Sequence, residues 1–256
     1  MKALHHFGLA AIISLASISA EAGIVRLPDA SSFTPAAGQI TFSEFPVSTV
    51  NPTYTPVDYG GGAGAPTVTF DGWFAGQALS ATPAVDCPGS SPNGCVVGTP
   101  TGPLALDPLS PDTFITTDGS NPTSPVLSGT PLFDGPIAIL FDSDVAGVAL
   151  DAGFFNAAGS TQIEAFARDG TSLGAVVNIG LGIEFLGLVT DDGTEQIAGL
   201  LFSLVGDEPF GYAIDNVRFG KTGQVIVPGG VPVPGVLFLL GVGLASLGLS
   251  RRLRRA

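Results

Sequence analysis

Histidine is almost missing from this chain: there are 2, His5 and His6, both at the very start. The remainder therefore excludes Ser-His-Asp and Cys-His nucleophile systems, histidine-ligated zinc and histidine general acid–base chemistry together. Basic side chains are also scarce, with Lys+Arg 9 against Asp+Glu 22 and a formal net charge of -13. Every acidic residue lies between Glu21 and Asp215, and residues 23–220 offer them only Arg26, Arg168 and Arg218 as basic partners. Phosphate binding requires a basic surface, so nucleic acid is excluded as a partner. No Gly-x-Ser-x-Gly elbow or P-loop pattern occurs either. Paired carboxylates for glycoside hydrolysis act through their separation in space, so a glycosidase stays as the weaker alternative to a protein without enzymatic activity.

Good helix formers are displaced by Gly 36 and Pro 21, which recur every few residues outside the two ends. These are the poorest helix formers, and their spacing suits short strands joined by turns. Strands are expected at Gln39–Phe45 and Thr67–Phe74. After Pro136 they become regular: Ile137–Phe141, Val145–Phe155, Thr161–Arg168, Leu173–Ile179, Glu184–Val189, Ile197–Val205 and Tyr212–Phe219. Asp169-Gly170 and Asp191-Asp192-Gly193 read as hairpin turns, because the turn needs the positive φ that glycine adopts at little cost. The fold class expected is all-β, an antiparallel two-sheet sandwich of jelly-roll type. Residues 75–135 read as a Pro/Gly-rich surface excursion, most proline-dense from Thr99 to Pro125, and 221–230 as a linker. Phe70, Phe74, Phe141, Phe154, Phe166, Phe185, Phe202 and Phe219 are the expected filling between the sheets.

The N-terminal segment runs from Met-Lys-Ala-Leu-His-His through the apolar stretch Phe7–Ile18 to Ser19-Ala20-Glu21-Ala22-Gly23. A charged start, a short apolar core and an A-x-A exit describe a signal peptide over 1–22, with cleavage after Ala20 as the alternative. The apolar stretch is too short for an ordinary membrane span. Export places Cys87 and Cys95, the only cysteines, in an oxidising compartment, where one disulfide closing a turn-rich loop is expected. Metal binding is the alternative, but no histidine is there to complete a site.

At the other end, Val231-Pro232-Val233-Pro234-Gly235 opens an apolar run to Ser250, and Arg251, Arg252, Arg254 and Arg255 follow it. About twenty apolar residues at roughly 1.5 Å each just span a bilayer core. The arginines hold their end cytoplasmic, so the body lies outside the inner membrane. Pro232 and Pro234 keep the approach to the span extended, as a processing enzyme requires. The order Pro-x-Pro, apolar helix, arginine cluster resembles the PEP-CTERM sorting signal of Gram-negative bacteria, whose substrates are processed by the membrane protease-transpeptidase exosortase. Val233 occupies the Glu position of the Pro-Glu-Pro form, which brings the motif closer to the Val-Pro-Leu-Pro-Ala variant. The resemblance implies passage through Sec-type export machinery and a membrane-anchored intermediate at the inner membrane. It further implies a final place at the cell surface or outside it, in association with exopolysaccharide or biofilm matrix. A plain single-pass anchor is the alternative.

The closing stretch Tyr212-Ala-Ile-Asp-Asn-Val-Arg-Phe219 resembles the terminal strand of exported carbohydrate-binding jelly-roll modules, where an Asp near that position helps hold a structural calcium ion. On that resemblance Glu44, Asp215 and Asn216 are calcium candidates and Asp142 with Asp144 a second set, since calcium takes several carboxylate and carbonyl oxygens. Solvated carboxylates at strand ends are the alternative for both. Trp73, with Tyr54 and Tyr59, would supply a stacking platform for sugar rings, or pack in the core; with Asp215 such a platform makes a calcium-dependent carbohydrate-binding module the alternative function, ahead of a glycosidase.

Overall fold

The computed structural model describes residues 23–209 and 211–229 of the chain. The expected leader, and the tail from Val231 with its Pro-x-Pro motif, apolar run and arginines, lie outside these residues. No described helix is long and apolar enough to cross a membrane.

Among the described residues, helix is confined to the 3-10 turn Ala30–Ser32 and the single turn Pro83–Asp86. The first strands are short: β1 (Ile24–Arg26), β2 (Gly38–Ile40), β3 (Thr53–Tyr54), β4 (Val68–Asp71), β5 (Ala78–Leu79) and β6 (Val96–Val97). Those that follow are longer: β7 (Thr113–Asp118), β8 (Asn121–Gly129), β9 (Ile137–Val145), β10 (Gly147–Phe155) and β11 (Thr161–Phe166). The chain ends its sheets with β12 (Ser172–Val177), β13 (Gly182–Thr190), β14 (Ile197–Leu204) and β15 (Ala213–Gly220). One sheet has the order β1-β13-β10-β15-β8-β7, with β2 also on β15; the other runs β12-β11-β14-β9-β4-β3; β5 and β6 form a small third. All the pairings are antiparallel.

Strand alternation explains how the two large sheets meet. On β9, Ile137, Ile139 and Phe141 point into a shared core, while Ala138 and Leu140 point out the other side. Leu150, Leu186 and Ile214 from the first sheet join Ile163, Leu200 and Phe202 from the second in that same core. A second apolar layer coats the outer side of β9 and β14, where Phe74, Leu104 and Phe166 pack with Ala138 and Leu201. Gly199 makes room for it: a Cβ there would meet Phe74 Cζ at 2.7 Å and Leu104 Cδ2 at 2.8 Å.

Several sequence expectations are corrected here. Residues 75–135 are not a free excursion. The Leu104 amide donates to Arg168 O at 2.7 Å and the Thr101 amide to Ala75 O at 2.8 Å, tying the proline-rich stretch onto the second sheet. The same region supplies β7 and β8. β8 carries Pro122 and Pro125 and ladders chiefly with β7, its register with β15 being limited to Ile214↔Leu127, so proline's missing N–H interrupts little pairing on that side. The expected linker is also built in, to Ile226: the Thr34 amide donates to Gln224 O at 2.9 Å, the Ile226 amide to Ser32 O at 2.8 Å, and Val225 is buried.

The aromatic expectations divide. Phe70, Phe141, Phe202 and Phe219 fill the space between the sheets, whereas Phe74 and Phe166 belong to the outer layer. Phe185 is half-buried on the opposite face of the first sheet, beside Val189 and Leu27. Phe154 is 52% exposed, and its neighbour Phe155 takes the core position. A bulge between Ala152 and Phe155 shifts the alternation by one residue, which turns Phe154 outward. Cys87 and Cys95 are disulfide-bonded, with Cα atoms 5.9 Å apart.

Candidate functional site

Residues singled out in the sequence converge on the middle of β15. Opposite β10 the register passes from Ala149↔Arg218 to Asp151↔Asp215, so β15 carries one extra residue. Asn216 absorbs it in left-handed backbone (φ 49°), a conformation asparagine tolerates better than most side chains. The extra residue lets Ile214, Val217 and Phe219 all reach the core.

Asp215 is nearly buried, at 4% exposed. Its Oδ1 accepts from the Asn216 amide at 2.6 Å, and its Oδ2 from Asn121 Nδ2 at 2.8 Å and Asn216 Nδ2 at 3.1 Å. Burial pushes its carboxyl above the usual value, the hydrogen bonds from Asn216 and Asn121 oppose that, and Asp151 nearby adds to the rise. Asp151 in turn meets Arg218 Nη1 at 3.3 Å, and the same nitrogen donates to Asn216 O at 3.0 Å. Asn121, Asp151, Asp215 and Asn216 edge a hollow of about 140 Å3, also lined by Asp118, Gly153 and Ile183. A larger hollow of about 290 Å3 lies between the loop Gly60–Pro66 and Phe219–Lys221, and Lys221 is its one ionisable lining residue.

The calcium candidates are spread along a hydrogen-bond chain rather than gathered on one point. Glu44 Oε1 accepts from the Thr41 amide and hydroxyl, both at 2.9 Å. Thr41 O accepts from Ser124 Oγ at 3.3 Å, and Asn216 Oδ1 accepts from Gln39 Nε2 at 2.9 Å. Glu44 Oε2 is buried without a partner among the described residues. One orphaned oxygen falls well short of the roughly six to eight ligands calcium takes. No group of three or more His, Cys, Asp or Glu that would hold a metal occurs among the described residues. Asp142 accepts from the Thr67 amide at 2.9 Å and Asp144 pairs with Arg168, so that second set is engaged elsewhere.

The expected stacking platform does not form as a unit. Tyr54 is fully buried, packed against Phe42, Phe45 and Phe70, and burial raises its hydroxyl far above the normal range. Tyr59 sets its ring edge-on to Phe219 and donates to Pro66 O at 2.5 Å. Trp73 is half-buried in the outer layer of the other sheet. Sequence reasoning missed Asn121, Asp151 and Arg218. The signal available was the spacing Ile214, Val217, Phe219, where an apolar step of three within an alternating strand marks a bulge.

No family model matches the chain, and no curated protein matches it. Among solved structures it is similar to the enzymatically active domain of tailspike protein 4 of bacteriophage CBA120, at 18% identity and a TM-score of 0.27. The match covers 42% of this chain and 17% of that one.

Proposed function

We propose that this is an exported surface or extracellular protein without enzymatic activity, delivered by an exosortase-type sorting tail and associated with exopolysaccharide. The observation that carries the reading is the ordered tail: Pro232 and Pro234, then the apolar run to Ser250, then Arg251, Arg252, Arg254 and Arg255. The body agrees with export. Its two cysteines are bonded to each other, as suits an oxidising compartment, and its surface is acidic. The strand orders β8-β15-β10-β13 and β9-β14-β11-β12 favour the jelly-roll reading, since consecutive strands cross between sheets in the manner of two Greek keys. Asp151 and Asp215 are occupied by Arg218 and by amides, an arrangement that suits fixing a surface better than exchanging protons with a substrate.

The test is fractionation of producing cells. The wild-type protein is expected with the extracellular polysaccharide fraction, and a Pro232→Ala/Pro234→Ala variant in the inner-membrane fraction. Identical distribution of the two proteins would contradict the reading.

A further inference from the structure

We infer that the hollow beside Asp215 and an apolar ridge next to it form one contact site for a neutral polysaccharide. The inference rests on the exopolysaccharide reading above and names the surface that would carry it.

Phe154 is the one aromatic side chain more than half exposed among the described residues. It does not stand alone. Val177 at 40%, Ile179 at 71%, Leu181 at 68% and Ile183 at 50% exposed come from the end of β12, the turn after it and the start of β13. The Phe154 ring lies over Gly182, 3.6 Å from where a Cβ would sit, and Ile183 lines the hollow together with Gly153. Single exposed apolar residues are ordinary, but a gathered set abutting a polar hollow marks a contact surface.

The ridge is held rigidly. Glu184 accepts from the Ile179 amide at 3.0 Å and the Gly180 amide at 2.7 Å while pairing with Arg26 at 2.6 Å. Asn178 Nδ2 donates to Gly180 O at 3.0 Å and Ala157 O at 2.7 Å. The turn therefore presents its apolar side chains without first having to be ordered, which lowers the cost of binding.

The chemistry fits sugars. A pyranose has an apolar C–H face that packs on an aromatic ring and a rim of hydroxyls that seek donors and acceptors. Asp151, whose carboxylate meets only Arg218 among the described residues, is an acceptor on the rim of the hollow. The amides of Asn121 and Asn216 are fixed by the buried Asp215 and bring both donor and acceptor atoms. Asp118, Asp151 and Asp215 line the hollow, no cationic side chain lines it, and only Asp151 of the three forms an ion pair among the described residues, with Arg218, so uronate or sulfate polymers are repelled and a neutral chain is selected. The same charges oppose an anionic lipid surface.

The test is affinity electrophoresis of the mature protein isolated from producing cells. Native gels are cast with the neutral polysaccharide of those cells' own matrix, with dextran, and with alginate as the polyuronate. Retardation by the neutral matrix polymer and none by alginate is expected. Phe154→Ala should weaken the apparent affinity on the order of tenfold and Asp151→Asn several-fold. Leu109→Ala, at an 88% exposed position that is not part of the hollow or the ridge, should change nothing. Absence of retardation by both neutral polymers, stronger retardation by alginate, or equal retardation of wild type and Phe154→Ala would each overturn the site. The broader reading fails separately: it falls if wild-type protein does not fractionate with the matrix. It stands, without this site, if Phe154→Ala fractionates as wild type does.

Discussion

Replacing Phe202 by alanine is expected to cost about 3–5 kcal/mol of folding stability, the largest effect of any single change considered. Phe202 is fully buried on β14, the strand that lies between β11 and β9. Its ring packs edge-on to Tyr212 at 5.4 Å and tilted against Phe155 at 6.2 Å. Phe202 comes from β14 in one sheet, Phe155 from β10 in the other and Tyr212 from just before β15, so the void left by alanine cannot be closed by one side chain moving. Tyr212 is further held by its hydroxyl, which donates to Asp134 O at 2.9 Å. Natural domains have total stabilities of roughly 5–15 kcal/mol, so the variant should lose a fifth or more of its margin. Guanidinium unfolding is expected to show a lower midpoint with an unchanged slope; a loss under about 1 kcal/mol would mean that the sheets do not meet at Phe202.

Removing the disulfide by Cys87→Ser/Cys95→Ser is expected to cost about 2–3 kcal/mol, mostly by freeing the unfolded chain from a closed loop of sequence separation 8. The folded state loses order too, because the loop lies over one end of the core. The Leu204 amide donates to Gly94 O at 3.0 Å, the Ser91 amide to Glu208 O at 2.8 Å, and a Cβ on Gly94 would sit 2.1 Å from Tyr212 Oη. The double variant should therefore unfold at a lower denaturant concentration than the oxidised protein, and reduction of the wild type should reproduce the shift. Equal midpoints for oxidised and reduced protein would show that the loop is dispensable.

From Ile137 to Phe219 most of the strand pattern was legible, because turns there carry glycine at positive φ and the strands alternate cleanly. Asp169-Gly170 does join a paired hairpin, β11 to β12. Asp191-Asp192-Gly193 has the same local chemistry, with Gly193 at φ 69°, yet it carries the chain from β13 in one sheet to β14 in the other. A turn signal specifies backbone geometry and says nothing about which sheet receives the next strand. The continuous apolar run around Val145 hid a similar change of sheet at Ala146, where β9 ends and β10 begins after one residue. β8 escaped notice because proline argues against strand; it ladders chiefly with β7 and meets β15 in register only at Ile214↔Leu127.

The site was legible in its parts. Asp215 and Asn216 stood out as an acidic–amide pair in a closing strand, but their partners Asn121 and Asp151 lie 94 and 64 positions earlier and are brought to them only by sheet pairing. Trp73 stands out in the sequence as the single tryptophan, for which core packing and sugar stacking are both open. The bulge at Ala152/Phe155, invisible to simple alternation, leaves Phe154 exposed next to Gly153 of the hollow, while Trp73 is half-buried in the outer layer of the other sheet.

The measurement that tests the account most directly is the intact mass and C-terminal peptide of the protein recovered from envelope and medium, in producing cells with and without the exosortase gene. The account predicts loss of the residues after about Val231 only where that enzyme is present. A tail intact through Ala256 in both strains would contradict it and leave an ordinary membrane anchor.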